Sequence, residues 1–137
     1  MNGDSWRLHE QLAADTHYLG PLPSAHLLLH RNARLHWFIL VPETRVLDLL
    51  DLGSEHLDRL MHDAALVSRV LKSEFAYPRV NVGALGLLVP QLHLHVIGRR
   101  ESDPCWPRPV WGQLEGGLDY PAEDLEGLRQ LFADARD

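Results

Sequence analysis

Val89–Arg100 reads VPQLHLHVIGRR. Gln91, His93 and His95 alternate with Leu92, Leu94 and Val96, the period-two pattern of a strand whose two faces meet different surroundings. The spacing predicts a strand over Gln91–Ile97. Gln91, His93, His95 and Ile97 share one face, and Leu92, Leu94 and Val96 turn the other towards the core. Side chains two apart on a strand stand roughly 6.5–7 Å from one another. Three polar residues in a row on a face flanked by aliphatics need partners, because a buried polar group without a hydrogen bond costs free energy.

The rest of the chain supplies a sheet for this strand. Ala25–His30 (AHLLLH) and Leu35–Val41 (LHWFILV) read as two strands joined through the turn Arg31–Arg34 (RNAR), with Pro42 ending the second. Within the second strand, His36, Phe38 and Leu40 share one face, and Leu35, Trp37, Ile39 and Val41 the other; both faces are apolar enough to be covered. Ser54 is a suitable N-cap for a long helix to Glu74 or Phe75, with Leu57, Leu60, Met61, Ala64, Val67, Leu71 and Phe75 forming its buried stripe. Arg79–Leu88 (RVNVGALGLL) begins as a strand and is loosened by Gly83 and Gly86. Trp6–Thr16 predicts a short helix, the Gly20–Pro23 stretch (GPLP) a break, and the segment after Tyr120-Pro121 an amphipathic helix with Leu125, Leu128, Leu131 and Phe132 on one side. These elements make the expected class α+β, with an antiparallel sheet, one long helix and terminal helices.

At 137 residues the whole chain, 1–137, is expected to form one domain. An apolar share of 45% with 23% charged residues is ordinary for a globular protein. The net charge of −6 argues against general nucleic-acid coating. Cys105 is the sole cysteine, which excludes an intramolecular disulfide. The N-terminal stretch MNGDSWRLHEQ lacks the apolar run of a secretory signal, and no segment has the ~20 apolar residues of a membrane span. A soluble cytoplasmic protein is therefore expected.

Three readings of the His-x-His pair stay open at this level. The histidines are structural and satisfied; or they chelate a metal, completed by His36, His30 or an acid; or one imidazole attacks phosphorus in a phosphate site. Neighbouring arginines disfavour the metal, since they repel a cation.

Gln91-Leu92-His93-Leu94-His95-Val96-Ile97 resembles the histidine triad (HIT) motif, His-φ-His-φ-His-φ-φ, with glutamine in place of the first histidine. Further stretches carry the resemblance over most of the chain. Leu35–Pro42 is similar to an earlier His-φ-φ-φ-φ-Pro strand of the family, Asn81 to an asparagine on the strand before the triad, and Trp106-Pro107 to a Trp-Pro that follows it in some branches. The resemblance implies a five-stranded sheet and a homodimer. It also implies metal-free and cofactor-free hydrolysis or transfer of nucleoside monophosphates from phosphoramidates, acyl-adenylates or dinucleoside polyphosphates. The middle position, His93, is then the nucleophile. His95 donates to the phosphate, Gln91 and His36 complete the catalytic set, and Asn81, Asn32 and Arg31 contact an AMP-like purine nucleotide. If His93 donates its Nδ1–H to a main-chain carbonyl, its Nε2 lone pair is fixed towards phosphorus. Glutamine keeps hydrogen-bonding capacity but relays no proton. Activity is therefore expected to be retained, reduced, or redirected to leaving groups that need little protonation. The rival reading is a nucleotide-binding module with weakened catalysis.

Overall fold

The computed structural model describes residues 5–135; the first four residues of the N-terminal stretch read above lie outside them. Five strands form one antiparallel sheet: β1 (Thr16–Pro21), β2 (His26–His30), β3 (Trp37–Val41), β4 (Arg79–Gly83) and β5 (Leu94–Arg99), in the order β1-β2-β3-β5-β4. Three helices accompany it: α1 (Glu10–Asp15), α2 (Ser54–Phe75) and α3 (Ala122–Ala135). The expected α+β class and five-stranded sheet are both found. No helix among the described residues is long and apolar enough to cross a membrane.

The sheet separates two cores. On one side α2 and α3 lay Leu60, Val67, Leu71, Leu128 and Phe132 over Leu27, Leu29, Phe38, Leu40, Leu94 and Val96. On the other, Leu12 of α1 and the loop residues Cys105 and Val110 pack with Leu28, Trp37, Ile39, Val41 and Ile97. The alternation of β3 is therefore real, and both of its faces are covered. Full burial of a side chain such as Phe38 or Leu94 contributes about 1.5–3 kcal/mol each.

The long helix runs as expected to Phe75, where Ala76 turns left-handed at φ 58°. Its first residue is Ser54 itself, and Gly53 occupies the cap without a side-chain bond. Val70 joins the buried stripe, and Met61 stays partly exposed. Three other boundaries move for physical reasons. The N-terminal helix starts only at Glu10, because residues 7 to 9 are held extended by bonds to Gln91. The stretch read as a helix end and a break is instead edge strand β1. A register shift between Tyr18 and Gly20, with Gly20 at φ +129°, leaves only Thr16 and Leu19 buried and erases the period-two signal. The histidine strand starts at Leu94, not Gln91: pairing with β3 stops at Leu40 opposite Leu94 and pairing with β4 at Gly83 opposite His95, so residues 91–93 lie outside both ladders.

Gly98 sits mid-strand in β5 because Tyr77 lies on it; a Cβ there would meet the Tyr77 ring at 2.6 Å. That ring cannot swing clear. Its hydroxyl bonds His36 at 2.9 Å, and the Arg100 guanidinium covers it at 3.9 Å. Gly98→Ala is expected to cost about 1–3 kcal/mol by overpacking, read as a lowered urea midpoint; an unchanged midpoint would show that this clamp yields.

Candidate active site

A cavity of about 410 Å³ opens on the face opposite α2 and α3. His93, His95, Trp37 and His30 form its polar and aromatic floor, Leu12 and Asp15 of α1 one wall, and Leu85–Val89 with Trp111 the rest. Sheet register puts these side chains together. Ile39 pairs with His95 and Leu28 with Ile39, so odd positions of β3 and β5 share a face with even positions of β2.

Each imidazole in the cavity has its hydrogen placed by a neighbour. His93 donates Nδ1–H to the Gln91 main-chain carbonyl at 2.6 Å. A carbonyl only accepts, so in the neutral ring Nε2 keeps the lone pair. His95 is the reverse case: the indole Nε1–H of Trp37 donates to its Nδ1 at 2.9 Å, and an indole N–H only donates. The hydrogen of neutral His95 is therefore on Nε2. His30 follows the same rule, its Nδ1 accepting the Asn32 main-chain N–H at 3.1 Å while its ring stacks on Trp37 at 4.5 Å. One ring offers a lone pair and two offer N–H donors.

Burial lowers the pKa of His95 to about 3, with the positive fields of protonatable His93 and His30 adding to the effect. His30 is lowered as well, by burial first and against the pull of Asp15. The His93 and His95 rings are 4.9 Å apart, and Trp111 stands edge-on to His95 at 5.4 Å. Among the described residues no group of three or more His, Cys, Asp or Glu side chains converges as a metal site.

The other residues singled out in the sequence lie elsewhere. His36 is on the helix-covered face, stacked on Phe75 at 4.1 Å, with the Tyr77 hydroxyl donating to its Nδ1 and accepting its main-chain N–H. Trp37, five places before Pro42, is the residue of this strand that reaches His95. Gln91 joins the site through its carbonyl alone, since its side-chain amide bonds the main chain at Arg7 and His9. Asn32 bonds the Gly116 carbonyl, and Arg31 bonds the Ala14 carbonyl and Asp119. Both turn residues thus hold the loop before α3 and α1, and neither lines the cavity. Asn81 is on the correct sheet face, but its Oδ1 accepts from Arg99 at 2.8 Å, while Gly83 is the residue paired with His95. Arg99 is buried in an ion pair with Asp103 at 2.7 Å. Reasoning from sequence named His30 only as a possible completion of a metal site and gave no role to Trp37 or Asp15. For the first two, the β2–β3–β5 register was the missing signal.

Comparison with known proteins identifies the family and the fold. The family profile described as "HIT domain" matches residues 11–102. A histidine triad protein of Bradyrhizobium japonicum superposes with a TM-score of 0.88 at 36% identity, covering 97% of this chain and 99% of its own. One from Marinobacter aquaeolei VT8 gives 0.86 at 37%, covering 95% of each chain. One from Sinorhizobium meliloti 1021 gives 0.88 at 33%, covering 96% and 97%. No curated protein matches the sequence.

The buried neutral histidines set an acid limit on stability. His36 is lowered to about 4, by burial first and then by Arg100, and His95 to about 3, both below the unfolded value of about 6.5. Below that value the unfolded chain binds protons that the folded rings refuse. Their stabilisation is complete above pH ~6.5 and is lost as pH falls towards ~4, on the order of 1 kcal/mol per pH unit per ring. Urea unfolding of His36→Phe between pH 7 and 5 should show a shallower fall than wild type, by that single-ring amount. Equal slopes would contradict the assignment.

Proposed function

The chain belongs to the HIT domain family, and on that premise we propose that it is a nucleotide hydrolase or nucleotidyl transferase acting through a covalent nucleotidyl-His93 intermediate. Gln91, His93 and His95 stand at the three positions of the family's motif. One observation carries the reading: the 2.6 Å bond from His93 Nδ1–H to the Gln91 carbonyl, which commits Nε2 as the free base.

In the proposed reaction His93 Nε2 attacks the α-phosphorus of a bound nucleotide. The P–N bond forms as the bond to the leaving group breaks, and the electron pair departs with that group. The ring becomes a phosphorylated imidazolium, whose charge strengthens its Nδ1–H bond to the carbonyl. Water then attacks phosphorus, loses a proton and releases the ring with its lone pair restored. For transfer, another nucleophile replaces water. His95 and His30 each supply an Nε2–H for the non-bridging oxygens, as preorganised donors in a largely apolar cavity. Trp37 positions His95 by occupying its Nδ1.

This geometry also narrows the substrate. His95 holds no spare proton near neutral pH, because its Nδ1 accepts from Trp37 and its pKa is about 3. Leaving groups that depart as stable anions, the carboxylate of an acyl-adenylate or the phosphate of a polyphosphate, are favoured over amines. Asp15, the only carboxylate among the described residues that line the cavity, suits the sugar hydroxyls. Trp111 and the 85–89 leucines suit an AMP-like purine. His36, Arg31, Asn32 and Asn81 are left out of the catalytic and binding set, since their partners lie elsewhere.

We also propose that residues 1–137 act as a single domain and that the working form is a cytoplasmic homodimer. β4 is an edge strand, with Val82 half exposed, and Leu87 and Leu88 beside it are 91% and 97% exposed. Such apolar surface on a sheet edge favours a second copy of the chain. Sedimentation should give twice the single-chain mass; a monomer at micromolar concentration would contradict this.

Hydrolysis of an acyl-adenylate is expected to persist in EDTA and to fall roughly 1,000-fold or more in a folded His93→Ala protein. Trp37→Phe is expected to lose about 10-fold in kcat, because it frees His95 to change tautomer. Activity abolished by chelator, or retained in His93→Ala, would refute the reading.

A further inference from the structure

We infer that Gln91 is a positioning residue: its side-chain amide clips the N-terminal segment to the nucleophile's strand, holding the carbonyl that orients His93 and the α1 wall of the cavity as one unit. The inference rests on His93 acting as proposed above, and it accounts for glutamine at this position as a structural device instead of a catalytic loss.

The clip is a two-point match. Gln91 Nε2–H donates to the Arg7 carbonyl at 2.8 Å, and Gln91 Oε1 accepts the His9 main-chain N–H at 2.8 Å. These two groups flank Leu8 and point the same way, as they do along an extended strand edge. A primary amide carries its acceptor and one of its N–H donors side by side in one plane. Imidazole cannot copy this, because its two ring nitrogens point apart.

Position makes the clip consequential. Residues 91–93 precede the sheet ladder, which begins at Leu94. Pro90 offers no N–H, and the Gln91 N–H makes only a local bond to Val89 at 2.8 Å. The side-chain amide therefore ties to the rest of the fold a carbonyl that the sheet does not hold. On the far side of the clip, His9 caps α1 by accepting the Gln11 N–H on its Nδ1 at 3.0 Å, and α1 presents Leu12 and Asp15 to the cavity. One amide thus couples the tautomer of His93 to the wall that would seat the nucleoside.

Three variants and three readouts test this: Gln91→Glu, which keeps the acceptor and loses the donor; Gln91→Ala, which loses both; and Gln91→His, which restores the motif's usual residue. With no substrate present, the His9 amide is expected to exchange about 10-fold faster or more than in wild type in Gln91→Ala and Gln91→His, and to stay protected in Gln91→Glu, which keeps its acceptor and loses only the bond to Arg7. The 15N spectrum of His93 is expected to shift from the pure Nδ1–H form towards a mixture of tautomers, most in Gln91→Ala. With acyl-adenylate, all three variants are expected to show a lower kcat and a higher KM. Gln91→His in particular should fall, not rise. Turnover by Gln91→His at or above the wild-type rate would overturn the inference. So would a wild-type His9 amide that exchanges as fast as an unstructured one, a result that needs no variant to fold. If wild type shows no turnover at all, the proposed function fails, while the exchange and 15N measurements still decide the clip.

Discussion

A hydrogen bond between a ring N–H and a carbonyl of its own chain, two residues back, is the constraint on which the site depends. Through it His93 has one nitrogen that gives a hydrogen and one that keeps its electrons. Without it, the ring would divide between two tautomers, and a neighbouring donor could take up the lone pair. Trp37 and the Asn32 main chain impose the opposite tautomer on His95 and His30. Imidazoles of the same chemistry are thereby assigned different tasks by groups that can only donate or only accept. Burial reinforces the assignment, since it favours the neutral form of both His95 and His30.

The sheet makes this division possible because its faces are used differently. Both long helices cover one face with aliphatic and aromatic side chains. Among the described residues the other face is covered by α1 and the segment before it, the loop after β5 and the 85–89 segment, and the cavity lies between them. The buried Arg99–Asp103 pair helps to hold that cover. Asp103 also accepts main-chain N–H groups of Arg100, Cys105 and Trp106, and Arg99 donates to the Arg108 carbonyl. The loop that presents Trp111 is therefore anchored by a charged hub. Removing one member of the pair would leave the other charge buried and alone.

Much of this was legible in the residues. The β2–β3 hairpin, the long helix to Phe75, the C-terminal amphipathic helix and the aliphatic face of Leu92, Leu94 and Val96 follow from periodicity and breakers alone. Three kinds of information were not legible. Alternation says which residues share a face within a strand, but not which faces of two strands coincide. That depends on register, and Ile39 opposite His95 puts Trp37 in the cavity and His36 behind it. Long-range bonds are equally silent: nothing in the turn Arg31–Arg34 announces that its side chains reach residues 115–119. Likewise the amide of Gln91 gives no hint of Arg7 and His9, more than eighty positions away. The bulge in β1 is a third case, in which one inserted residue hides a strand by breaking its period.

The most direct measurement is intact-protein mass spectrometry after rapid quenching at neutral pH, with acyl-adenylate in excess and EDTA present. The account predicts a transient gain of one nucleoside monophosphate per chain, localised by fragmentation to the His93 imidazole and absent from His93→Ala. Turnover with no covalent adduct, or with an adduct on His95 or another residue, would contradict it.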